Sequence, residues 1–177
     1  MAENSNKRII LTGFMGVGKS SVARHLAFLL KCKRIDLDSF IEKTENRTIA
    51  EIIQTDGEAA FRKIETACLQ KILDETDAQI VALGGGAWTI AENRDIIRRH
   101  NSICVWLESS FDHCWRNIRF SSRVRPLAAD KKKARELFDK RQNFYCLADW
   151  HFIIKPEFTS FDVAREIAEQ IFPLLSE

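Results

Sequence analysis

Gly13, Gly16, Gly18, Lys19 and Ser20, within "LTGFMGVGKS" at residues 11–20, complete the pattern G-x-x-x-x-G-K-[ST]. Glycines at these places open backbone torsions closed to other residues and let successive N–H groups turn inward onto an anion. A helix beginning near Gly18 adds the positive end of its dipole. Lys19 supplies a point charge for β- and γ-phosphates, and the Ser20 hydroxyl supplies a ligand for Mg2+. The pattern ends an apolar run and opens a helical one, as its mechanism requires. The chemistry implied is the holding of a nucleoside triphosphate.

Three other groups are candidates. In "RIDLDSFIE", Asp36 and Asp38 are two residues apart, so on an extended segment they share a side. One can hold magnesium through water while the other accepts a hydroxyl proton; alternatively one of them simply caps the following helix. Gly84, Gly85 and Gly86 follow an apolar run, which suits either close backbone approach to a ligand or a tight turn. From Arg116 to Arg135 there are eight basic residues against one acidic residue, Asp130. Pro126 and the serines in "SSRVRP" disfavour helix there, so a cationic loop is expected, functional or merely solvated.

These residues need elements to hold them. Five short apolar runs (8–13, 33–38, 78–84, 102–108 and 150–155) read as strands, apolar without alternation and so covered on both faces. Between them lie helical stripes, such as Val22, Leu26, Leu29 and Leu30, or Phe61, Ile64, Cys68, Leu69 and Ile72; a last stripe runs to Pro173. The expected fold class is α/β: a five-stranded parallel sheet with helices on both faces, in a single domain over 1–177. A composition 45% hydrophobic and 29% charged fits a soluble globular chain, and a net charge of +2 is too small to point to nucleic acid or membrane. The five cysteines show no metal spacing, and the polar start has no signal-peptide pattern, so a cytoplasmic setting is expected.

A GTPase would need a late guanine-reading N-K-x-D, which the sequence lacks. A motor ATPase would need an apolar strand ending in Asp-Glu, and "CVWLES" offers only Glu108. A small-molecule kinase remains, requiring an acceptor pocket, an acid near the acceptor hydroxyl and cations over the transferring phosphoryl group.

In "GFMGVGKSS", "RIDLDSFIE", "TIAEIIQTDGEAAFRKIE", "LGGGA", "RPLA" and "RQNFYCLAD", taken in that order, the chain resembles shikimate kinases along nearly its whole length. The resemblance implies a P-loop kinase fold with a mobile lid (about 116–132) and an acceptor-binding region (about 38–66). It implies transfer of the ATP γ-phosphoryl group to the 3-hydroxyl of shikimate, on the route to chorismate and the aromatic amino acids, with Mg2+ as cofactor. ATP would be held by Gly13, Gly16, Val17, Gly18, Lys19, Ser20, Ser21 and the lid arginine, Arg125. Asp36 would join Ser20 at the metal. Asp38 would be the base or hydroxyl orienter, with Lys19 and Arg125 its catalytic companions. Arg62 and Arg141 would clasp the shikimate carboxylate, whose geometry suits the planar guanidinium. Gly84, Gly85, Gly86 and Phe61 would line the ring, and Glu65 would orient the arginines.

Read without the family, Arg62 looks like half of a surface pair with Glu65. The chain also departs from the family pattern. Where an arginine usually stacks on adenine stands Ile118, leaving Arg119 or Arg116 as substitutes; Lys155 and Pro156 fall in the other adenine-flanking region. Ile53 replaces a common pocket aromatic, and a bulky Trp88 follows the glycines. The partners expected are ATP and shikimate, without nucleic acid or membrane, for a monomer. A gluconate kinase-like enzyme or a non-catalytic nucleotide-binding regulator are the competing readings.

Overall fold

The computed structural model describes residues 7–122, 127 and 130–175. Five parallel strands, β1 (Arg8–Thr12), β2 (Arg34–Asp36), β3 (Ile80–Ala82), β4 (Ser102–Glu108) and β5 (Trp150–Ile153), form one sheet in the order β2-β3-β1-β4-β5. The strand runs read from the sequence all form, and the expected continuous burial holds for the inner three. Ile9 to Thr12, Ile80 to Ala82 and Cys104 to Leu107 are buried along their length, because helices cover both faces. The edge strands are wetter. In β5, burial alternates and Ile153 is exposed.

The helices are α1 (Lys19–Leu30), α2 (Leu37–Glu45), α3 (Ile49–Asp56), α4 (Glu58–Glu75), α5 (Ala91–Arg99), α6 (Phe111–Arg119), α7 (Lys131–Tyr145) and α8 (Ser160–Leu175). Helix α1 packs on α8 and sinks Val22 and Leu26, the centre of its expected stripe, while Leu29 and Leu30 are half-buried. Helix α8 runs past Pro173 to Leu175 rather than stopping there. A capping box starts α3: Glu51 N–H donates to the Thr48 hydroxyl at 3.2 Å, and Thr48 N–H donates to the Glu51 carboxylate at 2.7 Å. Among the described residues no helix is long and apolar enough to cross a membrane.

All carboxyl ends of the strands meet one edge, which is where ligands bind in such sheets. The loop after β1 lies there at the centre, beside the ends of β3 and β4. The basic segment is helical through Arg119 and again from Lys131, capped by Asp130, whose carboxylate accepts from Lys133 N–H at 2.8 Å. Arg125, the expected lid arginine, lies outside the described residues, as do Arg123, Val124, Pro126, Ala128 and Ala129.

Candidate active site

A cavity of about 790 Å³ opens at that edge. It is lined by Gly16, Gly18, Lys19, Ser20 and Ser21 from the β1 loop and α1, and by Asp36 and Asp38 after β2. Phe61, Arg62 and Glu65 enter from α4, Gly84 to Gly86 follow β3, and Arg141 comes from α7. Residues from widely separated stretches of chain therefore share one chamber.

The loop after β1 has the geometry its glycines predict. Gly13, Gly16 and Gly18 have φ of 140°, 81° and 102°, a region that favours glycine. Gly18 caps α1, and the Lys19 ammonium donates to the carbonyls of Gly13 (2.7 Å) and Phe14 (3.1 Å). Burial pushes the Lys19 pKa down to about 8, against the pull of Asp38 and Asp36. Val17 is buried, and neither it nor Gly13 lines the cavity; both shape the loop from behind.

The aspartate pair works differently from the extended-strand expectation. Strand β2 ends at Asp36, and Asp38 already belongs to the first turn of α2. Asp36 does cap that helix, accepting from Ser39 N–H at 3.1 Å, and its other oxygen accepts from the Ser20 hydroxyl. Asp36 thus serves helix and cavity at once. Asp38 faces the glycine triplet: a methyl on Gly84 would lie 2.6 Å from Asp38 Oδ1 and 2.9 Å from Glu65 Oε1.

The Arg62–Glu65 pair exists, at 2.8 Å, yet it is no surface pair, because Glu65 has no exposed side-chain area. Arg62 also donates to Glu58 at 3.1 Å. Burial opposes the Arg62 charge, but Glu65 and Glu58 hold its pKa above the ordinary value. Burial also raises the Glu65 pKa, opposed by Arg62. Arg141 is buried, its pKa lowered chiefly by desolvation, and its Nη1 has no hydrogen-bond partner among the described residues. That nitrogen lies 3.4 Å from where a Gly85 methyl would be. Glu65 Oε1 is likewise buried without a partner. A pair of guanidiniums, one with an unused buried donor, has the chemistry to take a small carboxylate.

Some residues fall elsewhere. Arg119 and Arg116 are exposed in the last turn of α6 and do not line the cavity. Lys155 is also exposed and outside it, its ammonium 5.1 Å from the Phe158 ring centroid. Ile118 is buried against the β1 loop, 2.9 Å from where a Gly16 methyl would be. Ile53 does line the chamber. Trp88 points into the protein, its indole donating to the Phe144 carbonyl at 3.0 Å. Other residues take part without a role assigned from the sequence. The buried Tyr145 hydroxyl donates to the Gly85 carbonyl; its place in "RQNFYCLAD", one helical turn after Arg141, belonged to the family-like pattern but did not announce this contact. Asn117, from α6, lines the cavity with no signal in the sequence.

A family model for shikimate kinase matches residues 15–172. The chain belongs to the shikimate kinase family. It is 39% identical over 171 residues to a shikimate kinase of Lactococcus lactis subsp. lactis, covering 96% of both chains. It is 36% identical over 143 residues to that of Alkaliphilus oremlandii, covering 78% of this chain and 83% of the relative. A solved shikimate kinase from Acinetobacter baumannii, in complex with shikimate, superposes with a TM-score of 0.86 at 31% identity, covering 95% of this chain and 94% of that one. The fold is that of the shikimate kinases, and the chain is accordingly an ATP-dependent kinase acting on an alcohol.

Two outcomes are expected from this geometry. With Lys19 near pKa 8, magnesium-free ATP, its terminal phosphate already ionised, should bind with nearly constant affinity from about pH 7 up to near pH 8. Above it the free protein loses the ammonium that the triphosphate stabilises, so affinity should fall and binding should take up a proton. Calorimetry in buffers of different ionisation enthalpy between pH 7 and 9.5 checks this; a flat profile would refute it. Second, Gly86 has φ −107°, which alanine tolerates, but an added methyl would sit 2.7 Å from Arg62 Cζ. Gly86→Ala should therefore push the Arg62 guanidinium off buried Glu65 and lower stability by about 1–3 kcal/mol, read from the thermal midpoint. It should raise the acceptor KM by about tenfold or more, the scale of one charged hydrogen bond, as steady-state kinetics would read.

Proposed function

We propose that the protein transfers the γ-phosphoryl group of ATP to the 3-hydroxyl of shikimate. The observation that carries the reading is the buried, unpartnered Nη1 of Arg141 beside Arg62 and the glycine triplet, in the same chamber as the phosphate loop. The two guanidiniums would hold the shikimate carboxylate, Glu65 keeping Arg62 turned toward it. Gly84 to Gly86 would lie against the ring, with Phe61 as wall. Held this way, the acceptor would present its hydroxyl to Asp38, which would orient it and take its proton as the new oxygen–phosphorus bond forms.

On the donor side, the loop from Gly13 to Ser21 would cradle the phosphates, and Lys19 would reach the β- and γ-phosphates as their bond breaks to release ADP. Ser20 and Asp36, already bonded to each other, fit magnesium, an ion that keeps several waters and takes few protein oxygens. Bound there, the ion would neutralise charge on the phosphate oxygens. Arg125 would add positive charge from a lid over about 116–132, whose closure would exclude water. Arg119 and Lys155 would contact the nucleotide only if its base extends beyond the described chamber. The reading carries with it a monomer working in the cytoplasm.

ADP release should depend on ATP and be stimulated by shikimate well above quinate, gluconate or nucleoside monophosphates; no stimulation by shikimate would overturn the assignment. Arg62→Lys and Arg141→Lys keep the charge and lose the fork. Each should raise the shikimate KM by about tenfold while leaving the ATP KM within about twofold. Equal effects on both substrates would show that these residues do not hold the acceptor.

A further inference from the structure

Helix α6 lies directly on the phosphate loop. Gly16 has φ 81°, and a methyl there would fall 3.3 Å from the Cys114 carbonyl carbon and 2.9 Å from Ile118 Cγ1. The loop and helix are therefore in van der Waals contact, with no room for a side chain between them. One polar residue of α6 bonds across this contact. The Asn117 amide nitrogen donates to the Gly16 carbonyl at 2.8 Å and lies 3.1 Å from His113 Nε2, one turn earlier on the same helix.

The chemistry of the partners fixes this arrangement. A carbonyl oxygen only accepts, so the amide nitrogen, and not its oxygen, must face Gly16. The second amide hydrogen then goes to His113 Nε2, which holds that ring as the neutral Nδ1–H tautomer. Burial and, secondarily, Arg116 lower the His113 pKa, in keeping with an acceptor role. Both donors of Asn117 are used, and its rotation is locked. On the far side of the same peptide, Val17 N–H donates to the Phe14 carbonyl at 3.3 Å. The Gly16–Val17 peptide plane is thus gripped from both ends, and the Phe14 carbonyl also receives Lys19.

We propose that Asn117 is a positioning residue for the triphosphate: locked by His113, it holds the Gly16–Val17 peptide so that the loop is preset before ligand arrives. Preset loops bind more tightly because less ordering accompanies binding. The proposal rests on the reading of residues 13–20 as the phosphate site. Asn117 is exposed, so its replacement leaves the core intact.

The test uses Asn117→Ala, Asn117→Leu (similar in size, uncharged and without donors) and His113→Ala. Calorimetry would follow binding of ATP and of inorganic tripolyphosphate, which has no base or sugar. Both Asn117 variants should weaken both ligands equally, by about three- to tenfold, the scale of one hydrogen bond, and His113→Ala by about twofold. The ATP KM should rise in parallel, with the shikimate KM and thermal midpoint unchanged. Loss confined to ATP would overturn the proposal in favour of direct contact with the nucleoside. Unchanged binding in both Asn117 variants would also overturn it, as would equal loss for both substrates with a lowered midpoint. Lys19→Ala is the reference: if it binds tripolyphosphate like the unaltered protein, the phosphate-site reading itself fails.

Discussion

Glu65, with no exposed side-chain area, is held among Arg62, Arg141 and Asp38 beneath three consecutive glycines, and the rest of the structure is arranged around this buried charge. Taking such groups out of water costs several kcal/mol per ion in general, repaid only when partners are close and well aimed. Here the repayment is partial. Arg62 satisfies one Glu65 oxygen, while Glu65 Oε1 and Arg141 Nη1 have no hydrogen-bond partner among the described residues. A fold selected for stability alone would fill this space with apolar side chains. Unspent hydrogen-bonding capacity in a buried site is instead what a charged ligand would use.

The glycines make the arrangement possible sterically. A methyl at Gly84 would meet Asp38 and Glu65, and one at Gly86 would meet Arg62. Gly85 links the two halves of the chamber: a methyl there would lie 3.3 Å from Met15 N of the phosphate loop and 3.4 Å from Arg141 Nη1. The loop after β1 and the glycines after β3 meet there because β1 and β3 are adjacent parallel strands whose carboxyl ends share one edge. The sheet order, rather than any local preference, sets the distance across which a phosphoryl group would move.

The phosphate side follows the same logic by different means. Its loop is held by its own backbone, by the Lys19 ammonium and by α6, which is sterically committed to Gly16. Lys19 is kept less basic than usual by burial, with Asp38 and Asp36 pulling the other way. A backbone held in this way is shaped before any ligand enters.

The sequence by itself determined where the five strands lie and the glycine torsions of the loop after β1, because each leaves its pattern within a few residues of chain. It also carried the family, through motifs whose order survives along the whole length. Local reasoning failed where the outcome depended on distant chain. Asp36 and Asp38 looked like one face of a strand, yet the backbone turns helical between them, so one caps α2 and the other faces the glycines. Arg62 and Glu65 looked like a solvated helical pair, yet Glu65 is buried and Arg62 half-buried, with Gly86 of the loop after β3 lying against its guanidinium. Asn117 had no signal at all, its partner Gly16 lying 101 residues away in sequence. Burial and long-range hydrogen bonds are properties of the packed sheet and its helices, and only the tertiary structure decides them.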